Sequence, residues 1–349
     1  MTEKERILSS AKNEYDSLVR TFALRAREEA AEALRSQPEL SKAKTRLDYV
    51  QRCIDSLEIG RKISPEVVRD DGGRNADIFK MRNAELQAER EKLEAKIASL
   101  TAENGEIDAK KYYCPICRDT GYVTGESGER ERCSCFSKIL SRYILASSCM
   151  PEGEYSLKPP AEGVYSDEAD KAKYGSEESP AKIAASAYRE ALKFVSARGS
   201  GAKKKMFITG RVGVGKTHLA CCIGAEAAGQ CLFVRYGSIS VILDSIQNRI
   251  FNSDEDREAY ENRREYIEKC DLLIIDDLGV ENITDRRFEN LITLIDGRTD
   301  SGRKTVVTSN LGLKEIKDIY GERLASRFVD RKNAVNIRLL GDDIRLRRL

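Results

Sequence analysis

The sequence predicts an α/β domain with a five-stranded parallel sheet in its C-terminal half, preceded by a helical arm and a small cysteine-rich module. Short apolar runs alternate with helical patterns, and the first run leads into a glycine-rich loop, G-x-x-x-x-G-K-T, which is typical of a P-loop fold. Four cysteines in two close pairs predict the small module. The predicted strands span residues 206–209, 231–236, 272–276, 304–308 and 334–339.

Breaks in composition predict four parts along the chain. The first hundred residues carry apolar stripes at helical spacing, and Pro38 and the segment Asp71-Gly72-Gly73 separate three helices. These helices predict an antiparallel bundle or a coiled-coil hairpin. The alternative role for this arm is that of a passive spacer or an oligomerisation arm. The predicted parts are a helical arm (1–110), a four-cysteine zinc module (111–150), a linker rich in proline, glycine and tyrosine (151–177) and the P-loop domain (178–349).

Composition excludes some classes of protein. Lysine and arginine (60) nearly balance aspartate and glutamate (58), so any contact with nucleic acid must come from local patches. No apolar run approaches the roughly 18 residues that a membrane span needs, and the N-terminus lacks a signal-peptide pattern. We therefore expect a cytoplasmic protein with no membrane partner.

The glycine-rich loop predicts binding of nucleotide phosphates. Glycines allow the backbone to turn tightly around an anion, and the following helix presents its positive N-terminus. Lys216 is placed to reach the β- and γ-phosphates, and the Thr217 hydroxyl to bind magnesium. The predicted phosphate-binding residues are Gly210, Arg211, Val212, Gly213, Val214, Gly215, Lys216, Thr217 and His218.

A second segment predicts the metal-binding side of the same site. Leu-Leu-Ile-Ile is followed by Asp276 and Asp277, two carboxylates at the C-terminal end of a buried strand. Open α/β sheets bind their ligands at this edge, and a P-loop fold needs an acid there for magnesium. A core strand that leads into an acidic turn explains the apolar residues but not both acids. The two segments together predict binding of ATP or GTP.

Three further polar residues have two interpretations each. Asn310 follows the fourth predicted strand and either positions the attacking water or serves as an ordinary turn residue. Arg323 and Arg327 are four residues apart on one helix face. They either complete the site of a neighbouring subunit, where a guanidinium stabilises the charge on the transferred phosphoryl group, or are solvated surface residues.

The two cysteine pairs predict a structural zinc site. Cys114 and Cys117 form the first pair, and Cys133 and Cys135 the second. Four thiolates give the tetrahedral geometry of structural zinc, and a catalytic zinc would need an open position. Free buried thiols and an iron–sulfur cluster remain alternatives.

These motifs together resemble a known family. G-R-V-G-V-G-K-T-H, L-L-I-I-D-D-L-G, T-S-N-L and G-E-R-L-A-S-R-F, in this order, resemble the AAA+ domain of bacterial replicative-helicase loaders, the DnaC and DnaI proteins, within the IstB-like superfamily. C-P-I-C-R-D-T-G-Y resembles the zinc module of the DnaI-like branch. The resemblance covers roughly residues 111–340. The implied roles are a magnesium ligand for Asp276, orientation or deprotonation of water for Asp277, a sensor for Asn310, and an arginine finger for Arg327 with Arg323 as a second contact.

The resemblance implies an ATPase that uses ATP, Mg²⁺ and Zn²⁺, binds the replicative DNA helicase, and helps load it on single-stranded DNA. It also implies self-association into a spiral or ring through the AAA+ domain, and DNA contact by two helices, 238–250 and 254–269. Asp277 stands where the wider AAA+ pattern has glutamate, so we expect slow hydrolysis that a partner or DNA stimulates. The alternatives are an IstB-like transposition helper ATPase and a nucleotide-bound adaptor with incidental hydrolysis.

Overall fold

The computed structural model describes residues 1–63, 74–104, 111–126, 128–199, 201–247, 253–279, 284–330 and 332–348. The chain divides into two compact units, one formed by residues 1–15 and 121–349 and the other by residues 16–120. Among the described residues, no helix combines the length and the apolar character that a membrane span requires. The four-part division of the sequence remains a prediction.

Helices make up most of residues 16–120. The helix α1 (Glu3–Arg35) enters this unit and ends just before Pro38, which begins α2 (Pro38–Ile63) as predicted. The third helix is α3 (Arg74–Asn104), and the predicted break at residues 71–73 lies outside the described residues.

The helices α2 and α3 form the predicted antiparallel hairpin. Val50 and Ile54 of α2 pack against Leu86 of α3 in a small apolar cluster. Ion pairs cross the hairpin in antiparallel order, from Glu39 to Lys96 and from Arg46 to Glu89. Because these pairs are largely exposed, the apolar cluster contributes most of the hairpin's stability.

The other unit contains the sheet. Before the sheet lie a hairpin of β1 (Tyr122–Thr124) and β2 (Arg130–Arg132), and the helices α4 (Ser134–Ser147), α5 (Lys171–Tyr174) and α6 (Pro180–Ser196). The sheet strands are β3 (Lys205–Thr209), β4 (Val234–Ser238), β5 (Leu272–Leu278), β6 (Lys304–Ser309) and β7 (Ala334–Arg338). The remaining helices are α7 (Lys216–Gly229), α8 (Ile239–Ile246), α9 (Asp254–Lys269), α10 (Asp285–Asp300), α11 (Leu313–Val329) and a 3₁₀ helix (Ile344–Arg348).

The five strands form a parallel sheet in the order β4-β5-β6-β3-β7, which confirms the predicted fold class. Nearly all residues of β5 and β6 are buried, because helices cover both faces of a parallel sheet. The strand order places β6 between β5 and β3. The strand that precedes the glycine-rich loop and the strand that carries the two acids therefore both flank β6, and all three end at one edge.

The predicted and observed strand boundaries agree within one or two residues except at the start of the second strand. The sequence predicts the second strand from Cys231, whereas β4 begins at Val234. Cys231 has a φ of 57°, and the Leu232 N–H donates to the Ala227 carbonyl, so residues 231–233 still belong to the turn that ends α7. Apolar side chains at Leu232 and Phe233 gave this turn the appearance of a strand.

Candidate functional site

The glycine-rich loop has a backbone that favours glycine at two positions. It runs from the end of β3 to the start of α7, with φ of 153° at Gly210 and 79° at Gly213. A Cβ on Gly210 would lie 2.4 Å from the Leu339 carbonyl oxygen, and one on Gly213 would lie 2.1 Å from the Asp343 carboxyl group. The loop therefore has both the close packing and the left-handed turns of a phosphate cradle.

Lys216 stands at the start of α7 with only 5% of its surface exposed. Its Nζ donates to the Arg211 carbonyl at 2.9 Å and to Asn310 Oδ1 at 2.7 Å. Burial lowers the pKa of Lys216, and the nearby carboxylates of Asp277 and Asp276 oppose that shift. An ammonium group desolvated in this way binds strongly to an anion that replaces the two neutral acceptors.

Asn310 reaches the glycine-rich loop because β6 pairs with β3. The register aligns Ser309 with Thr209, so Asn310 follows β6 at the level where the loop begins. The structure therefore brings Asn310 to Lys216, between the glycine-rich loop and the strand end that carries Asp276 and Asp277. Its role in positioning water stays a prediction.

Asp276 is a buried carboxylate held by hydroxyl groups. Thr217 Oγ1 donates to it at 3.0 Å, Tyr236 Oη at 2.6 Å, and Thr308 Oγ1 also donates. Burial and the bond to Asp276 raise the pKa of Tyr236, so its hydroxyl keeps its proton. Among the described residues, no basic side chain forms an ion pair with Asp276. A carboxylate beside a threonine hydroxyl provides the oxygen ligands that Mg²⁺ binds, so this pair fits a magnesium ion.

A bulge in β5 turns Asp277 toward the same site. The pairing of β5 with β6 is irregular between Ile275 and Leu278, and Asp277 has a φ of 57°. Its N–H donates to Thr308 Oγ1 at 3.0 Å, and its side chain lines a cavity next to the glycine-rich loop. Neighbouring strand residues normally face opposite sides, so the bulge explains how both acids serve one site. Burial, with the charge of Asp276, raises the pKa of Asp277.

A cavity of about 900 Å³ opens beside the loop. Lys216, Thr217, His218, Asp277 and Asn310 line its polar end. Its other walls come from residues 151–165, the helix α6 and the C-terminal segment, including Pro151, Tyr155, Pro160, Tyr165, Tyr188, Ile344 and Arg345. A polar end for phosphates and a wall of aromatic and proline side chains for the base fit a nucleotide.

Residues 151–165 form part of the site, where the sequence predicts an irregular linker that wraps the next domain but no role in the site. Tyr165 is buried, and its hydroxyl donates to the Val214 carbonyl of the loop at 2.9 Å. The ring of Tyr155 lies 5.7 Å from that of His218. The tyrosines and prolines in this segment were the sequence feature that could have predicted a contribution to the nucleotide site.

The C-terminal segment also contacts the loop, which sequence reasoning missed. The Ile344 N–H donates to the Gly213 carbonyl at 3.0 Å, and Arg345 lines the cavity. The positive charge of Arg345 opposes the raised pKa of Asp277. Asp342 anchors this segment to α5 through Lys173 at 2.7 Å and the Tyr174 hydroxyl at 3.1 Å. Arg345 therefore adds a second cation to the site.

The two predicted finger arginines lie on α11, outside the residues that line the cavity. Arg327 forms a two-pronged ion pair with Asp296 of α10, at 2.8 Å from Nε and 2.6 Å from Nη2. Arg323 pairs with Glu289, also of α10, at 2.5 Å. A role in a neighbouring subunit's site remains a prediction for both.

Along the chain, the cysteines lie in tight turns that precede β1 and follow β2. The Cys114 N–H donates to Asp119 Oδ1 at 2.9 Å, and the Thr120 N–H to the Cys117 carbonyl at 3.1 Å. Cys133 precedes α4, and its N–H donates to the Gly121 carbonyl at 2.9 Å. The four predicted zinc ligands, called the cysteine cluster, are Cys114 and Cys117 in one unit and Cys133 and Cys135 in the other, and their joint binding of a metal ion stays a prediction.

The predicted DNA-contacting helices are α8 and α9, and the predicted residues 248–250 lie outside the described part of the chain. The apolar face of α8 is buried except at Val241, which is 52% exposed. Arg264 pairs with Glu268 at 2.9 Å, while Arg263 is exposed. DNA contact stays a prediction.

Comparisons with known proteins agree with this geometry. Residues 188–348 match the family of IstB-like ATP binding proteins. The chain is 30% identical over 162 residues to the ATP-binding protein of insertion sequence IS232 from Bacillus thuringiensis subsp. berliner, covering 46% of this chain and 62% of that protein. It is also 30% identical over 121 residues to the replicative helicase loader DnaC of Escherichia coli (strain K12), covering 34% and 47%. The chain thus spans less than two thirds of either relative.

Two solved structures match parts of the chain. The crystal structure of DnaI matches with a TM-score of 0.39 and 22% identity, covering 55% of this chain and 90% of that one. The crystal structure of the DnaC helicase loader matches with a TM-score of 0.35 and 21% identity, covering 44% and 90%.

Proposed function

We propose that this protein is an ATP-hydrolysing loader of the replicative DNA helicase, because residues 188–348 match the family of IstB-like ATP binding proteins and part of the chain is 30% identical to DnaC. The observation that supports it best is that the residues of the nucleotide site all belong to one unit, whereas the described residues of the helical unit contribute none of them. ATP would thus be bound in one unit and a protein partner in the other. The proposed site of action is the cytoplasm.

The side chains of the site have distinct chemical tasks in the proposed reaction. Lys216 and Arg345 neutralise phosphate charge, and Thr217 with Asp276 would hold a magnesium ion, which neutralises charge on the β- and γ-phosphates when bound. Asp277 orients the attacking water, with Asn310 nearby. Asp277 is one methylene shorter than the glutamate of the wider AAA+ pattern. We therefore propose slow hydrolysis that the helicase or single-stranded DNA stimulates.

Further parts of the proposal concern assembly. Arg327 would act on the nucleotide of a neighbouring subunit, which requires a spiral or ring of P-loop domains. The exposed Arg263 on α9 is a candidate contact with single-stranded DNA. Since the net charge of the chain is only +2, such contact depends on local residues and on how subunits are arranged.

An IstB-like transposition helper is the second candidate, supported by the similarity to the IS232 protein. The four cysteines and the helical hairpin favour the loader. The segment C-P-I-C-R-D-T-G-Y resembles the zinc module of DnaI-like loaders. Capture of the full chain on immobilised replicative helicase, and separately on a transposase of the same cell, distinguishes the two. Capture by the transposase alone would reject the loader.

The helical unit offers a specific test of helicase binding. Ile78 and Met81 of α3 are 63% and 66% exposed and one helical turn apart. Replacing both by glutamate in the full chain is expected to weaken helicase capture about tenfold or more, because charged groups cannot enter an apolar interface. Binding of a fluorescent ATP analogue should be unchanged. Unaltered helicase capture by this double variant would exclude this face of α3 as the binding surface.

We also propose that the cysteine cluster binds zinc, because four thiolates suit a closed tetrahedral site. Purified, reduced protein is expected to contain about one zinc per chain. Substituting Cys114 and Cys117 by serine should remove the metal, whereas Cys149→Ser, at an exposed cysteine outside the cluster, should retain it. Metal analysis that finds iron with visible absorption would indicate an iron–sulfur cluster, and no metal would indicate free thiols.

A further inference from the structure

The carboxylate of Asp276 accepts hydrogen bonds from the P-loop segment, from β6 and also from β4. Tyr236, on β4, donates its hydroxyl to Asp276 Oδ2 at 2.6 Å. Thr308 donates to the other oxygen, Oδ1. Both carboxylate oxygens are thus held from opposite sides, by β4 on one flank of β5 and by β6 on the other.

The sheet brings this tyrosine within reach of the acid. In the register of β4 and β5, Tyr236 lies opposite Ile274, and Ser238 lies opposite Asp276. A phenol is long enough to extend along the strand to the carboxylate two positions further on. A serine or threonine at position 236 would be too short to make this contact.

Tyr236 is also fixed through its backbone. Its N–H donates to the carbonyl of Ser148, just after α4, at 2.8 Å. Ser148 is fully buried, and its own hydroxyl donates to the Leu145 carbonyl of that helix at 2.6 Å. The hydroxyl that reaches Asp276 is therefore on a side chain whose backbone is anchored to a rigid element.

We propose that Tyr236 is a positioning residue that orients the Asp276 carboxylate for magnesium binding. This inference rests on the proposed ATPase function. The Thr217 hydroxyl also donates to Oδ2, at 3.0 Å, but it would serve as a ligand when Mg²⁺ is bound, and Tyr236 would still hold Oδ2. Fixing this oxygen as well as Oδ1 sets the plane in which the free lone pairs of the carboxylate point. Groups that orient a metal ligand in this way commonly change metal affinity by about 10- to 100-fold when they are removed.

The test compares Tyr236 of β4 with Tyr266 of α9, whose hydroxyl bonds to the same strand. Tyr236→Phe removes the hydroxyl at Asp276. Tyr266→Phe is the matched control, because the buried Tyr266 hydroxyl donates to the Val234 carbonyl of the same strand at 3.3 Å and does not touch Asp276. Full-length proteins are titrated with Mg²⁺ in the presence of a fluorescent ATP analogue, and binding is also measured in EDTA.

We expect Tyr236→Phe to need about tenfold more Mg²⁺, or more, for half-maximal nucleotide binding. Its affinity in EDTA should match that of the wild type, and Tyr266→Phe should follow the wild-type Mg²⁺ curve. In an Asp276→Asn background, Tyr236→Phe should have no additional effect. This double variant distinguishes orientation of the acid from a general effect on the strand.

Three results would overturn the proposal. The first is a Tyr236→Phe midpoint equal to that of the wild type. The second is an equal loss of affinity in Mg²⁺ and in EDTA, and the third is the same midpoint shift in Tyr266→Phe, both of which indicate a merely structural role. If wild-type binding does not depend on Mg²⁺ at all, the proposed ATPase function fails as well.

Discussion

Lys216→Ala is expected to abolish detectable binding of ATP in the presence of magnesium. The Lys216 ammonium group is buried beside the cavity and donates to the neutral acceptors Arg211 O and Asn310 Oδ1, which phosphate oxygens would replace. Each hydrogen bond to a charged group contributes about 1.5–3 kcal/mol, so losing two or more of them lowers affinity by at least about 100-fold. Titration of a fluorescent ATP analogue measures this loss.

Two further variants make this result specific. Lys193→Ala removes an exposed lysine of α6, with 74% of its side chain accessible, and should bind nucleotide as the wild type does. Asp276→Asn should lose the dependence of binding on Mg²⁺ but keep the binding seen in EDTA, because it acts through the metal. Wild-type affinity in Lys216→Ala would show that the glycine-rich loop is not the phosphate site.

Arg327→Ala is expected to lower assembly-dependent ATP hydrolysis by about 1,000-fold while leaving ATP binding intact. A guanidinium supplied by another subunit stabilises the transferred phosphoryl group and is typically worth 10³-fold or more in rate. Mixing Arg327→Ala chains with Lys216→Ala chains should restore part of the activity, because one chain supplies an intact pocket and the other an intact arginine. Steady-state phosphate release from the mixtures measures the recovery.

The ion pair between Arg327 and Asp296 gives this experiment a matched control. Asp296→Asn removes the partner charge but keeps the arginine, so it should retain hydrolysis and still complement Lys216→Ala. A failure of every mixture to recover activity, despite demonstrated co-assembly, would contradict a shared site. A loss of ATP binding in Arg327→Ala would instead place the arginine in the pocket of its own chain.

The sequence was sufficient for features that depend on local backbone requirements. The glycines of the loop must adopt φ values that other residues avoid, so their spacing alone predicts the turn. Two acids after an apolar run predict a ligand-binding strand end in a parallel sheet. The hairpin of α2 and α3 follows from apolar periodicity, and Pro38 marks its start.

Other parts of the site depend on contacts between distant segments and could not be predicted. Tyr236 and Asp276 meet only because β4 pairs with β5, and the register of a strand is not visible in one sequence. Tyr165 reaches the loop from an irregular segment and Arg345 from a short 3₁₀ helix, and neither segment has a periodic apolar pattern. The positive φ of Asp277 follows from a bulge, whose position depends on its partner strand.

The strand order also constrains when the ATP site can form during synthesis. The strand before the loop, β3, pairs only with β6 and β7, both of which are translated long after it. A nascent chain that stops before Ala334 leaves one side of β3 without its hydrogen-bonding partner and lacks the carbonyl of Leu339 against which Gly210 packs. We expect ribosome-bound chains to acquire nucleotide binding only after β7 has emerged from the exit tunnel. Crosslinking of an ATP analogue to chains stalled at successive lengths would follow this maturation.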